Sequence, residues 1–248
     1  MSQAAANASC TLENPFFTEW DTPHGVPPFD KILPEHFMPA FERGMSLHEA
    51  EIDAITSNKD EATFENTILA YDDAGQMLAQ TELVFGMLCA AETNDRMQAL
   101  QEQAMPLLAA HRDKIRLDDK LFVRVKEVYD RRAALGLDAE QMRLLQKTYD
   151  SFVRAGALLD AEQKARLKEI NGQLSLTAVK FGNNILAENN NFVLELKSDE
   201  LDGLPAGIRD AAREKARQMG KGDKWVFTLH KPSLIPLLTY STKRDLRE

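Results

Sequence analysis

The sequence predicts a mainly α-helical protein with a small strand-helix-strand element toward its carboxyl-terminal end. From about residue 39 to residue 190 apolar side chains recur at three- and four-residue spacing, each run opened by a capping residue, as amphipathic helices require. After Asn189-Asn190-Asn191 the pattern changes, in two short places, to the strict alternation of half-buried strands. A chain of 248 residues, 44% of them hydrophobic, is long enough to bury a core without help from a disulfide or a metal.

Residues 1–14 read as a flexible tail. The stretch 15–34 holds Pro15, Pro23, Pro27, Pro28 and Pro34 together with Gly25, which favours an extended segment pinned by Phe16, Phe17, Trp20 and Phe29. From Pro39 onward Phe41, Met45, His48, Ile52 and Ile55 outline a first helix ending near Ser57-Asn58. Thr63 is the N-cap of a second helical stretch through Ile68, Tyr71, Leu78 and Phe85, with a break expected near Gly75 or Gly86. Asn94-Asp95 caps a third, over Met97, Leu100, Leu107 and Leu108, which accepts Pro106 only with a kink. Asp118 caps a fourth over Leu121, Phe122, Val125 and Val128, closed by Gly136. Asp138 with Gln141 and Asp160 with Gln163 have the spacing of capping boxes, in which N-cap and N3 side chains satisfy each other's free amides. Each opens a long helix, the first running to about Arg154 and the second over Leu167, Ile170, Leu174, Val179, Phe181 and Leu186.

Beyond residue 191, Phe192, Leu194 and Leu196 form one expected strand and Trp225, Phe227 and Leu229 another, with a helix from Ile208 to Met219, closed by Gly220, between them. Tyr240 to Glu248 reads as the first turns of a further helix capped by Ser241. The expected organisation is therefore a tail at 1–14, a helical lobe at 15–190 and the strand-helix-strand element with the start of the next helix at 191–248. No sustained 34- or 40-residue repeat is present, which counts against a helical solenoid.

A net charge of −9 argues against nucleic acid as a partner, since such binding depends on neutralising phosphates with Lys and Arg. No apolar run approaches the length of a membrane span, and the first residues lack the basic start and apolar stretch of a signal peptide. A cytoplasmic location is expected, or a periplasmic one if a leader has been removed. Cys10 and Cys89 lie far apart with no CxxC spacing, giving neither a zinc ribbon nor a redox pair. Charge is unevenly spread: residues 205–248 carry ten Lys and Arg against five Asp and Glu, while residues 1–204 carry 20 against 34. The end of the chain reads as an ordinary solvated face or, in a sharper reading, as a basic edge that docks onto an acidic partner or a missing remainder of the protein.

No complete active site emerges from the residues. The histidines are His24, His36, His48, His111 and His230, and no two stand one helical turn apart as H-E-x-x-H demands; in His48-Glu49-Ala50-Glu51-Ile52 the second ligand position is an isoleucine. Gly44-Met45-Ser46-Leu47-His48 fails as a nucleophile elbow at its last position. Gly220-Lys221-Gly222 lacks the third glycine of a dinucleotide fingerprint and precedes a strand, so it reads as a turn. Asp72-Asp73 and Asp118-Asp119 are adjacent on helices, about 100° apart, and read as caps or solvated faces.

Five stretches are more specific than their periodicity: NPFF at 14–17, FENTI at 64–68, LLQKTYDSFVRAGAL at 144–158, KEINGQLSL at 168–176 and WVFTLHKP at 225–232. In this order and at these separations they resemble the amino-terminal part of the thimet oligopeptidase family of zinc metallopeptidases. Within that family PHGVPPFDKI at 23–32 and Val153-Arg154-Ala155-Gly156-Ala157 are most similar to the bacterial peptidyl-dipeptidase branch. The resemblance implies a neurolysin-like, mostly helical enzyme of two lobes around a deep channel, acting on short peptides and releasing carboxyl-terminal dipeptides. It implies a zinc held by an H-E-x-x-H helix that residues 1–248 do not contain, so no catalytic, cofactor-binding or metal-binding position is carried over. On this reading the chain is one channel wall, inactive alone, whose partner is the missing carboxyl-terminal catalytic portion. The alternatives are the corresponding part of an internally cleaving oligopeptidase and a free-standing helical binding module.

Overall fold

Tight local turns shape the proline-rich opening. The structure, a computed structural model, describes residues 14–248, so Cys10 and all of the expected tail except Asn14 lie outside the described residues. Buried Asn14 accepts from the Phe16 amide at 3.1 Å and donates to the His36 carbonyl at 2.8 Å, capping a 3-10 turn at Pro15–Phe17. Trp20 Nε1 closes back onto the Pro15 carbonyl at 2.8 Å, and a second 3-10 turn follows at Pro23–Gly25. Of the four expected aromatic pins, Phe16 is buried, Phe17 lies under the Arg43 guanidinium and Trp20 is half-buried. Phe29 is 41% exposed and pins nothing.

Helix α1 spans Pro34–Ser57 and starts five residues before the expected Pro39. The reason is local. Pro34 suits the first helical position, and His36 at N3 accepts from the Leu33 amide through Nδ1 at 3.1 Å, the job that Glu or Gln performs in a capping box. Thr63 is the expected N-cap and forms with Asn66 a capping box that was not expected, opening a π-helical turn at Phe64–Leu69 that runs into a helical turn at Ala70–Asp72. The break comes at Gly75, the N-cap of α2 (Gln76–Ala91), and not at Gly86, which lies inside α2.

Asn94 caps α3 (Asp95–Arg116), which continues through Pro106. Asp118 accepts from the Leu121 amide at 2.8 Å to cap α4 (Asp119–Asp130). Gly136 does not close α4, which ends six residues earlier. Arg131 and Arg132 donate to the Glu127 and Tyr129 carbonyls, satisfying acceptors that a glycine cap would otherwise serve. Both predicted capping boxes are realised, at Asp138–Gln141 for α5 (Ala139–Arg154) and at Asp160–Gln163 for α6 (Ala161–Asn191). Between α5 and α6, Gly156 has φ +99°, and a Cβ there would stand 2.7 Å from a Leu167 methyl, so the tight α5–α6 turn requires glycine.

Backbone contacts divide the chain into two units, residues up to 179 and residues 180–248, the division falling within α6. The first unit holds two apolar clusters. In one, Phe37 and Phe41 of α1 meet Leu78 and Phe85 of α2 and Leu108 of α3, with Phe41 edge-on to Phe85 at 5.3 Å. Gly44 allows this approach, because a Cβ on it would reach Leu78 Cα at 3.0 Å. In the other, Ile52 and Ile55 of α1 pack with Phe64, Ile68, Leu121, Val125 and Phe152.

In the second unit β1 (Leu194–Leu196) pairs antiparallel with β2 (Trp225–Phe227), Leu194 facing Phe227 and Leu196 facing Trp225; Phe192 and Leu229 fall outside the strands. Helix α7 (Ala206–Gln218) lies between them in sequence and ends in a Schellman motif, with Lys221 and Gly220 amides on the Ala216 and Arg217 carbonyls. Leu196, Ala212, Phe227 and Leu237 form this unit's core. Helix α8 (Lys231–Tyr240) was not expected, and Tyr240 ends it instead of opening the next. Pro232 takes a first-turn position, where its missing amide costs nothing, and the uninterrupted apolar run through Leu238 carries no periodic signal. Ser241 does not cap the short helix α9 (Arg244–Arg247), whose N-cap is Lys243. Among the described residues no helix is long and apolar enough to cross a membrane.

Candidate functional site

The α1–α3 crossing brings together two histidines 63 positions apart in the chain. His48 Nδ1 lies 3.0 Å from His111 Nε2, so one proton sits between the rings. Around the pair, Glu49 Oε1 stands 3.5 Å from His111 Nδ1, Glu49 Oε2 meets Lys114 Nζ at 2.8 Å, and Glu51 Oε2 accepts from the Gly75 amide at 2.7 Å. Burial holds both histidines below their ordinary value, and for His48 the charge of His111 acts in the same direction. The Lys114 hydrogen bond holds Glu49 below the usual carboxylate range. Glu49 is half-buried and Glu51 exposed, and each has a partner.

This cluster does not fit a zinc ion. The two facing ring nitrogens are spent on each other, and among the described residues no three His, Cys, Asp or Glu side chains stand together as ligands. The remaining histidines are dispersed. His36 caps α1, His24 is exposed, and His230 is exposed at the start of α8. Cys89 is a free thiol that burial pushes up to about 11, which makes it a poor nucleophile. Asp118 is a helix cap, Asp119 pairs with the buried Lys164, and Asp72 and Asp73 are exposed. Lys221 of the Gly220-Lys221-Gly222 turn pairs with Glu195.

The FENTI stretch is built around one oxygen. Asn66 Oδ1 accepts from the Thr63 amide at 2.8 Å, the Thr67 hydroxyl at 2.8 Å and Arg124 Nη2 at 3.0 Å. Arg124, buried on α4, also donates through Nη1 to the carbonyls of Asn58 and Asp60 at 3.0 and 3.1 Å. The motif thus fixes the α1-to-π-turn connection onto α4. Sequence reasoning passed over Arg124, whose only signal is an arginine on the apolar face that Leu121, Val125 and Val128 define.

Sequence reasoning also passed over a basic cleft in the first unit. Arg143, Lys147 and Arg154 recur at four- and seven-residue spacing along α5, and Arg116 at the end of α3 joins them around a cavity of about 730 Å³. An adjoining cavity of about 360 Å³ shares Arg116 and Arg154 and adds Leu167, Asn171 and Leu174 of α6.

Helix α6 buries only Lys164 and Val179 of its 31 residues. On the part of α6 in the first unit Ile170 and Leu174 are exposed, Leu174 at 63%; on the part in the second unit Phe181 and Ile185 are exposed, Phe181 at 66%.

No family model matches the chain. It is 37% identical over 239 residues to the dipeptidyl carboxypeptidase of Escherichia coli (strain K12) and 35% identical over 236 residues to that of Salmonella typhimurium. To the oligopeptidase A of Escherichia coli it is 25% identical over 228 residues. These matches cover 96%, 95% and 92% of this chain but only 35%, 35% and 33% of the relatives, so the chain spans about a third of the length of the proteins it matches.

Proposed function

Because the chain belongs to the dipeptidyl carboxypeptidase and oligopeptidase A family, matching its amino-terminal portion, we propose that it serves as the non-catalytic lobe of a peptidyl-dipeptidase. The observation that carries this reading is the 37% identity to a dipeptidyl carboxypeptidase along nearly the whole chain, against 25% to an oligopeptidase A. In this reading the zinc and the residues that activate water lie in the two thirds of the relatives' length that the chain does not match. The lobe forms one wall of a channel that admits short, unfolded peptides and excludes folded ones by size. The exposed Ile170 and Leu174 of α6 support it, since apolar side chains clustered at a surface mark places where another surface docks. The partner is the catalytic portion, the substrates are peptides with a free carboxyl terminus, and a cytoplasmic setting goes with both.

The test is complementation. This chain is mixed with a separately produced carboxyl-terminal two thirds of the Escherichia coli relative, and dipeptide release from an amino-blocked tetrapeptide is followed. Release by the mixture, with none by either part alone, is the expected result. A mixture in which the two parts fail to associate and no dipeptide appears would sink the proposal.

A further inference from the structure

The geometry of the basic cleft points to a binding site for carboxylate-bearing peptides. In a protein of net charge −9, Arg116, Arg143, Lys147 and Arg154 converge on one cavity whose lining includes a single carboxylate, Asp150. Among the described residues none of these four cations stands in an ion pair. The neighbouring carboxylates are engaged by amides: Asp150 accepts from Gln146 at 2.9 Å, and Asp113 from Asn171 at 2.8 Å. Four positive groups held around one concavity raise the local concentration of anions and bind carboxylates through charge-assisted hydrogen bonds.

The adjoining cavity decides what carries the anion. Leu167 gives it an apolar wall and Asn171 a polar edge, and neither cavity is lined by an aromatic side chain on which a base could stack. A peptide with acidic and aliphatic side chains matches both halves, whereas a nucleic acid would also meet the repulsion of the whole molecule. The choice of a peptide rests on the peptidase-lobe reading, while the preference for negative charge rests on the cleft alone.

The site is tested by fluorescence anisotropy on the full chain, using a labelled hexapeptide with three glutamates and its counterpart with three glutamines. The glutamate peptide should bind more tightly, and its affinity should fall as salt rises. The double variant Arg143→Glu/Lys147→Glu, both positions exposed, should weaken it roughly five- to tenfold while leaving the glutamine peptide unmoved. Arg209→Glu, outside the cleft, should change nothing, and circular dichroism confirms that each variant is folded. Equal binding of both peptides, unaffected by the double variant, overturns the anion site and leaves the lobe reading standing. Displacement of the glutamate peptide by inorganic phosphate at equal concentration overturns the peptide assignment. If neither peptide binds, the site is refuted, and complementation alone then judges the lobe reading.

Discussion

His48 and His111 share one proton across a 3.0 Å gap that joins α1 to α3, so the two helices are linked by a bond that exists only while at least one ring is neutral. Burial depresses both groups below 6.5, and the nearby charges are mixed: Glu49 and Glu51 favour the charged histidines, while Lys114 and Arg112 oppose that of His111. With folded values below the unfolded one, the unfolded chain binds more protons as pH falls. The pair's contribution is therefore complete above about pH 6.5 and is lost as pH falls through that value toward the depressed folded ones. We expect Tm to drop between about pH 7.5 and pH 5.5, and the drop to shrink in His48→Asn, which keeps a donor for His111 but removes one titrating ring. An identical drop in the variant, measured by thermal melts across that range, would show that other groups set the acid sensitivity.

Gly75 holds this arrangement from the other side. Its φ of +76° is left-handed, its amide donates to Glu51, and a Cβ on it would meet His48 Nδ1 at 2.9 Å. Gly75→Ala is expected to destabilise the chain by about 1–3 kcal/mol, combining backbone strain with displacement of the imidazole. Gly86→Ala, inside α2 with open space around it, should be neutral or slightly stabilising. Urea titrations of the two variants should move their midpoints in opposite directions or move only the first; equal losses would remove the steric argument.

Asn66 and Arg124 should behave as one unit. Removing the amide in Asn66→Ala leaves the buried guanidinium and the Thr63 amide short of an acceptor, a loss of about 2–4 kcal/mol. Arg124→Met trades the clamp on Asn58 and Asp60 for an apolar side chain of similar length, and the double variant should cost about 0.5–3 kcal/mol less than the two single losses added. Strict additivity in a double-mutant cycle would show that the shared oxygen is not what couples them.

What could be read from the residues beforehand follows the range of the interactions. Asp138 with Gln141 and Asp160 with Gln163 were legible because a cap and its partner are three residues apart, and Thr63 was legible as a cap although its partner Asn66, in place of Glu or Gln, was not. Misplaced boundaries came where a less usual residue took over a familiar role: His36 caps α1 in place of Glu or Gln, and Arg131 and Arg132 close α4 where Gly136 was expected to. Helix α8 was missed because two prolines, one in its first turn and one inside, hid a helix behind turn signals. The functional features depend on pairings that no local window contains. The Arg143, Lys147 and Arg154 stripe was visible on one helix, but its convergence with Arg116 depends on how α3 and α5 pack, as the histidine pair depends on α1 against α3.

The exposed apolar side chains of α6 yield a prediction independent of any substrate. Ile170 and Leu174 in the first unit and Phe181 and Ile185 in the second are open to water, whereas the helix buries only Lys164 and Val179. Leaving such side chains exposed forfeits about 1.5–3 kcal/mol each relative to full burial, a drive toward any apolar surface that can cover them. The isolated chain should therefore bind ANS or self-associate as its concentration rises. In Leu174→Glu/Phe181→Glu, ANS fluorescence and apparent mass by sedimentation should both fall while the helical signal is kept, because neither side chain belongs to a core. The same variant should fail in complementation, since the side chains that cause stickiness in the isolated chain include Leu174, proposed to meet the catalytic portion. Reduced stickiness with complementation intact would separate the two roles and move the contact with the catalytic portion to another surface.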